Sequence, residues 1–145
     1  MKHSYQVEKV VAEVIKQKPH ARWLFLTLTV RNVIDGETLS ESLQELSRGF
    51  NRLFKYKKVK QNLIGFLRAT EVTVNEMDGT YNQHMHVLLC VESTYFKNSQ
   101  NYISQDEWTS LWKKAMKLNY QPVVNIKAIK PKNKNKTDIK SAIDE

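Results

Sequence analysis

The stretch LIGFLRATEVTV (Leu63–Val74), NEMDGT (Asn75–Thr80) and YNQHMHVLLCV (Tyr81–Val91) decides the fold. Leu63 to Val74 is rich in β-branched and aromatic residues. Asp78-Gly79 is a turn signal, and His84 to Val91 again has strand composition, so the stretch predicts a β-hairpin. Strand side chains alternate between faces, which puts His84, His86, Leu88 and Cys90 on one face and Met85, Val87, Leu89 and Val91 on the other. With Asp78 and Gly79 as the two residues of a type I′ turn, Glu71 falls opposite His86 and Thr73 opposite His84. Opposed residues share a face with Cβ atoms roughly 4.5–5.5 Å apart, so a carboxylate stands beside two imidazoles. A slip of one residue would turn Glu71 away, whereas a slip of two would keep it on that face.

Upstream of the hairpin, Val7, Val10, Val11, Val14 and Ile15 recur at helical spacing and stop before Pro19, predicting an opening amphipathic helix. Leu24, Leu26, Leu28 and Val30 alternate with Phe25, Thr27 and Thr29, which predicts a strand. Thr38-Leu-Ser-Glu41 reads as a capping box ahead of a long helix carrying Leu39, Leu43, Leu46, Phe50, Leu53 and Phe54. Downstream, Ser104-Gln-Asp-Glu107 is a second capping box, and its helix turns Trp108, Leu111, Trp112, Ala115 and Met116 to the core. Val124, Ile126 and Ala128 suggest a fourth strand. Pro131 to Lys136 reads as a solvated loop, after which Thr137 or Asp138 is placed to cap a last helix that is cut short at Glu145. Without the first and last helices the order is β-α-β-β-α-β. The expected fold is therefore α+β and ferredoxin-like: a four-stranded antiparallel sheet, helices on one face, the other face free for a ligand. The 145 residues are read as a single, incomplete domain.

Composition narrows the function classes. Hydrophobic residues are 41% and charged residues 26% of the chain, which is globular chemistry rather than disorder. No apolar run approaches the roughly 18 residues of a membrane span. The N-terminus lacks a signal-peptide core, and the single Cys90 cannot form an internal disulfide, so the expected location is cytoplasmic. Cys90 reads as a small buried hydrophobe. Lys and Arg outnumber Asp and Glu by 23 to 15. Nine lysines (113, 114, 117, 127, 130, 132, 134, 136 and 140) face one acid, Asp138, between Lys113 and Lys140. A polyanion would account for that excess, because each neutralised phosphate releases counterions. Arg68, Lys113, Lys114, Lys117, Lys127, Lys130 and Lys132 are the candidate DNA contacts. Tyr81, Tyr95 and Tyr102 lie in or beside loops where single-stranded bases could stack on them. Trp108 and Trp112, one helical turn apart, belong to the core.

Two histidines and a carboxylate with open coordination positions suit a catalytic metal rather than a closed structural one, and ligand type alone permits zinc, iron, manganese or magnesium. On a basic domain, the group such an ion would polarise is a phosphodiester.

Three segments carry a resemblance: LFLTLT (Leu24–Thr29), RATEVT (Arg68–Thr73) and HMHVLL (His84–Leu89). In that order they resemble the motifs of rolling-circle replication initiators from small plasmids of Gram-positive bacteria, members of the HUH endonucleases. Tyr81-Asn-Gln83 and Ser141 to Glu145 extend the likeness through nearly the whole chain. The resemblance implies a divalent ion, Mg²⁺ or Mn²⁺, on His84, His86 and Glu71. It also implies a tyrosine that attacks the phosphate at the plasmid's double-strand origin, leaving a 5′-phosphotyrosine and a free 3′-hydroxyl that primes synthesis. Glu145 matches the glutamate that activates water to end replication, and the tyrosine is expected at position 149, four residues later. The chain therefore reads as a fragment unable to nick by itself. The resemblance also implies a cysteine-rich segment upstream and a further C-terminal part, and the chain is expected to lack both. Implied partners are origin DNA, single-stranded or as a hairpin at the nick site, and a host helicase and polymerase, with no membrane. The competing readings are a DNA-binding fragment without chemistry, a metal-dependent hydrolase using water, and an RNA-recognition module, which would carry aromatics where this sheet carries histidines.

Overall fold

Alternation in the first strand organises the core. In the computed structural model, which describes residues 2–129 and their side chains from Glu8 onward, β1 (Arg22–Val33) buries Leu24, Leu26 and Leu28 on one face. β3 (Tyr81–Val91) buries Met85, Val87, Leu89 and Val91 on the same face. Onto these pack α2 (Gly36–Leu53), through Leu46, Phe50 and Leu53, and α5 (Gln105–Met116), through Trp108, Trp112 and Ala115. The two helices approach closely at Gly49, where an added Cβ would collide with Met116 Sδ. The tryptophans are core residues with their indole N–H groups satisfied. Trp112 Nε1 donates to the Thr29 carbonyl at 2.9 Å, and Trp108 Nε1 donates to the Tyr95 hydroxyl at 3.1 Å.

β2 (Leu63–Val74) and β4 (Val124–Ile129) complete an antiparallel sheet in the order β2-β3-β1-β4. With α2 between β1 and β2 and α5 between β3 and β4, this is the ferredoxin-like arrangement expected from the element order. The connections carry two single-turn helices that the periodicity is too short to reveal, α3 (Lys57–Lys60) and α4 (Asn98–Asn101).

Three local expectations are corrected. The hairpin loop is not the two-residue Asp78-Gly79 turn but four residues long. Asn75 and Thr80 close it, with Asn75 N donating to the Thr80 carbonyl at 2.7 Å. Asn75 Oδ1 accepts from Met77 N, and the Asp78 carboxylate accepts from both the backbone and the hydroxyl of Thr80. Those bonds from Thr80 hold the Asp78 carboxyl below its usual range, and Gly79 supplies the left-handed residue, at φ 74°. Second, α2 is capped by Asp35, which accepts from Thr38 N at 2.7 Å, so the helix begins one turn before the predicted Thr38 box. The Ser104 cap of α5 stands as predicted, its hydroxyl accepting from Glu107 N.

The third correction concerns the face expected to be free. α1 (Lys2–Gln17) lies across part of it: Val11, with Val14 and Ile15 beside it, packs on Trp23, Leu88, Cys90 and Ile129. Val10 is off this stripe and 48% exposed. The expected last helix, the Pro131–Lys136 loop, Lys130, Lys132, Lys134, Lys136, Lys140 and Glu145 lie outside the described residues. Among the described residues, no helix is long and apolar enough to cross a membrane.

Candidate functional site

What α1 leaves open is the half of the sheet face that carries the histidines. Strand register sets the neighbours of each one. His84 lies between Thr29 of β1 and Glu71 of β2, and His86 lies between Thr27 and Ala69. The hairpin pairing is thus two residues away from the one predicted, which takes Glu71 from beside His86 to beside His84. A two-residue shift preserves the face, so the carboxylate still reaches both imidazoles. Glu71 Oε1 lies 3.5 Å from His86 Nε2 on the diagonal, a separation within reach of neighbouring side chains on a pleated sheet. The two imidazoles lie nearly parallel, with ring centres 6.1 Å apart and planes inclined by 13°. His86 and Glu71 keep 46% and 59% of their side-chain surface in solvent, whereas His84 is half-buried.

As placed, no three His, Cys, Asp or Glu side chains among the described residues are gathered around one point. His86 and Glu71 are exposed enough to rotate, and the donor set of two imidazoles and one carboxylate on one face is chemically suited to a divalent ion with open positions. Thr27 flanks His86 and separates it from Asn125 of β4, and Thr29 flanks His84 while donating its hydroxyl to the Val123 carbonyl at 2.7 Å. Reading the hairpin alone missed these neighbours, because they come from β1 and β4 and from pairings distant in sequence.

The candidate DNA contacts are dispersed. Lys127, paired with Phe25 on the histidine face, is exposed and shares that surface. Arg68 is on the opposite face, its guanidinium 4.6 Å above the Phe50 ring. Lys113, Lys114 and Lys117 belong to the helix layer, where Lys114 lies over the Tyr56 ring and Lys117 ends α5 in a left-handed conformation. Tyr95, expected as a stacking surface, is instead 3% exposed. Its hydroxyl donates to the Ile103 carbonyl and accepts from Trp108, and burial pushes its pKa up to about 12. Tyr102 packs edge-on against Tyr95 and keeps 45% of its surface exposed. Tyr81 opens β3 next to the hairpin loop. Cys90 is buried under α1, two positions past Leu88, and burial raises its thiol pKa to about 11.

A family model described as "Replication protein" matches residues 1–145. A "Replication protein" from Staphylococcus aureus is 64% identical over the whole of this chain, and a "Protein rep" from Lactiplantibacillus plantarum is 54% identical over 95% of it. A further "Protein rep" from Staphylococcus aureus is 35% identical over 86%. The chain spans 62%, 44% and 54% of these relatives' own lengths, respectively. No solved structure matches the chain. This is the kinship that the three motifs indicated: the chain belongs to the replication-protein family.

Proposed function

We propose that this chain is the part of a plasmid rolling-circle replication initiator that binds origin DNA and presents one phosphodiester for nicking. The observation that carries the reading is the placement of His84, His86 and Glu71 together on the open half of an otherwise covered sheet face. A single-stranded segment crossing that face would meet the two imidazoles and Glu71 at its centre and Lys127 at its flank. Lys127 would neutralise backbone charge without reading sequence.

A divalent ion, Mg²⁺ or Mn²⁺, held by His84, His86 and Glu71 would supply Lewis-acid polarisation of the scissile phosphate. The protein residues fix where that phosphate sits. His84 is held by strand pairing on both sides, and Glu71 stands 3.5 Å from His86 Nε2, near enough to share an ion with it. By the resemblance, the attacking tyrosine would follow Glu145 by four residues. Its phenolate oxygen forms the bond to phosphorus while the 3′-oxygen leaves and takes a proton, so the phosphoester energy is kept for rejoining.

The reading is tested with the chain extended past position 149 on a hairpin oligonucleotide containing the origin. The expected result is a metal-dependent, protease-sensitive covalent adduct on the 5′ fragment, abolished by His86→Ala. Cleavage without an adduct would support the water-using hydrolase instead. DNA binding with no cleavage would support a module without chemistry.

A further inference from the structure

Beside His84, at the end of the sheet where β1 finishes and β3 begins, a cleft of about 450 Å³ opens between those strands and the segment 120–123. Three features of its lining bear on what it could hold. Gln83 is 1% exposed, yet neither its amide nitrogen nor its amide oxygen has a partner. A buried amide left this way is costly, and a ligand offering one acceptor and one donor would satisfy both atoms. The Arg31 guanidinium lies 4.0 Å above the Tyr120 ring, and the Tyr120 hydroxyl accepts from Arg31 N at 3.0 Å, which locks a flat cationic platform in the wall. His84, one of the proposed phosphate-presenting residues, lines the same cleft.

We infer that this cleft binds one unstacked nucleobase of single-stranded DNA next to the scissile phosphate, with adenine favoured. The inference rests on the DNA-nicking reading above and adds to it a site of base readout. The Tyr120–Arg31 platform provides the stacking surface, which any base can use. Gln83 provides the discrimination because the base enters by its Hoogsteen edge, where a glutamine amide matches the acceptor N7 and donor N6 of adenine, whereas cytosine and thymine carry a single polar atom there. Guanine offers two acceptors on that edge and leaves the amide oxygen unpaired. Gln83 belongs to the helix side of the sheet and His84 to the opposite side, so the cleft meets the histidine face at the strand end, where a base seated in it sets which phosphate reaches the imidazoles.

The test is fluorescence anisotropy of the whole chain with 12-mer dA, dC and dT oligonucleotides, with Mn²⁺ and again with EDTA. The inference predicts that dA binds about tenfold more tightly than dT or dC. Gln83→Met, similar in shape and free of the unpaired amide, is expected to erase that preference while leaving dT affinity within about twofold. Tyr120→Leu is expected to weaken all three oligonucleotides by about tenfold without altering their ranking. It keeps the inference testable should Gln83→Met fail to fold. Equal affinity for the three oligonucleotides, or a dA preference that survives Gln83→Met, would overturn the base site while leaving the nicking reading intact. Binding of none of them would overturn both.

Discussion

His84 and His86 share one strand and one face with Leu88 and Cys90, yet the first pair stands in the open and the second pair is sealed. Leu88 is 6% and Cys90 3% exposed because Val11 of α1 and Trp23 of β1 close over them. Past Leu88 that cover ends, and the same alternation that supplied apolar side chains now supplies imidazoles flanked by Glu71, Thr27 and Thr29. The contrast shows that one strand can serve two purposes when a single helix covers only part of its length. The covered half contributes burial, at roughly 25 cal/mol per Å² of apolar surface removed from water. The open half contributes little to the core, which leaves its polar residues to be chosen for binding.

Substitutions on the two halves should separate these roles. The largest effect on stability is expected at Leu88→Ala, which leaves a cavity under α1 and should cost about 2–4 kcal/mol in denaturant unfolding. Its Mn²⁺ affinity should stay unchanged once folded; a matching loss of affinity would show that the halves are coupled. Val11→Ala removes the facing methyl groups and should cost about 1–2 kcal/mol. A negligible cost there would mean that α1 is not the cover. Cys90 probes the same seal by chemistry, because burial lifts its thiol pKa from 9.0 to about 11. At pH 8 the thiolate should be about 100-fold scarcer than at the ordinary value, so a disulfide reagent should label the folded chain slowly and the denatured chain rapidly. Rapid labelling of the folded chain would show that α1 does not seal Cys90. The smallest stability change is expected at His86→Ala, within about 0.5 kcal/mol, as befits an exposed residue outside the core.

Residue period and ligand chemistry made much of this molecule readable in advance. Alternation in β1 and β3 identified both faces of the sheet, and the Ser104 box located the start of α5, because each is a local rule acting over a few residues. The hairpin register was harder. Asn75 and Asp78 use their side chains to hold a wider loop, and Asp78-Gly79 reads equally well as a tighter one. Glu71 survived that error only because a shift of two residues preserves parity. The cover by α1 was not legible, since an amphipathic helix announces that it has a buried side but not which surface it meets. The same holds for the burial of Tyr95 and for the cleft at Gln83, which are assembled from segments far apart in sequence.

The proposed metal centre requires that the open half bring His84, His86 and Glu71 to one divalent ion. Isothermal titration of Mn²⁺ into the chain, alongside His86→Ala and Glu71→Ala, tests it most directly. A single site is expected in the unsubstituted chain, with affinity reduced by at least about tenfold in each variant and unfolding midpoints preserved. A single site of undiminished affinity in both variants, or no Mn²⁺ binding by the unsubstituted chain, would contradict it.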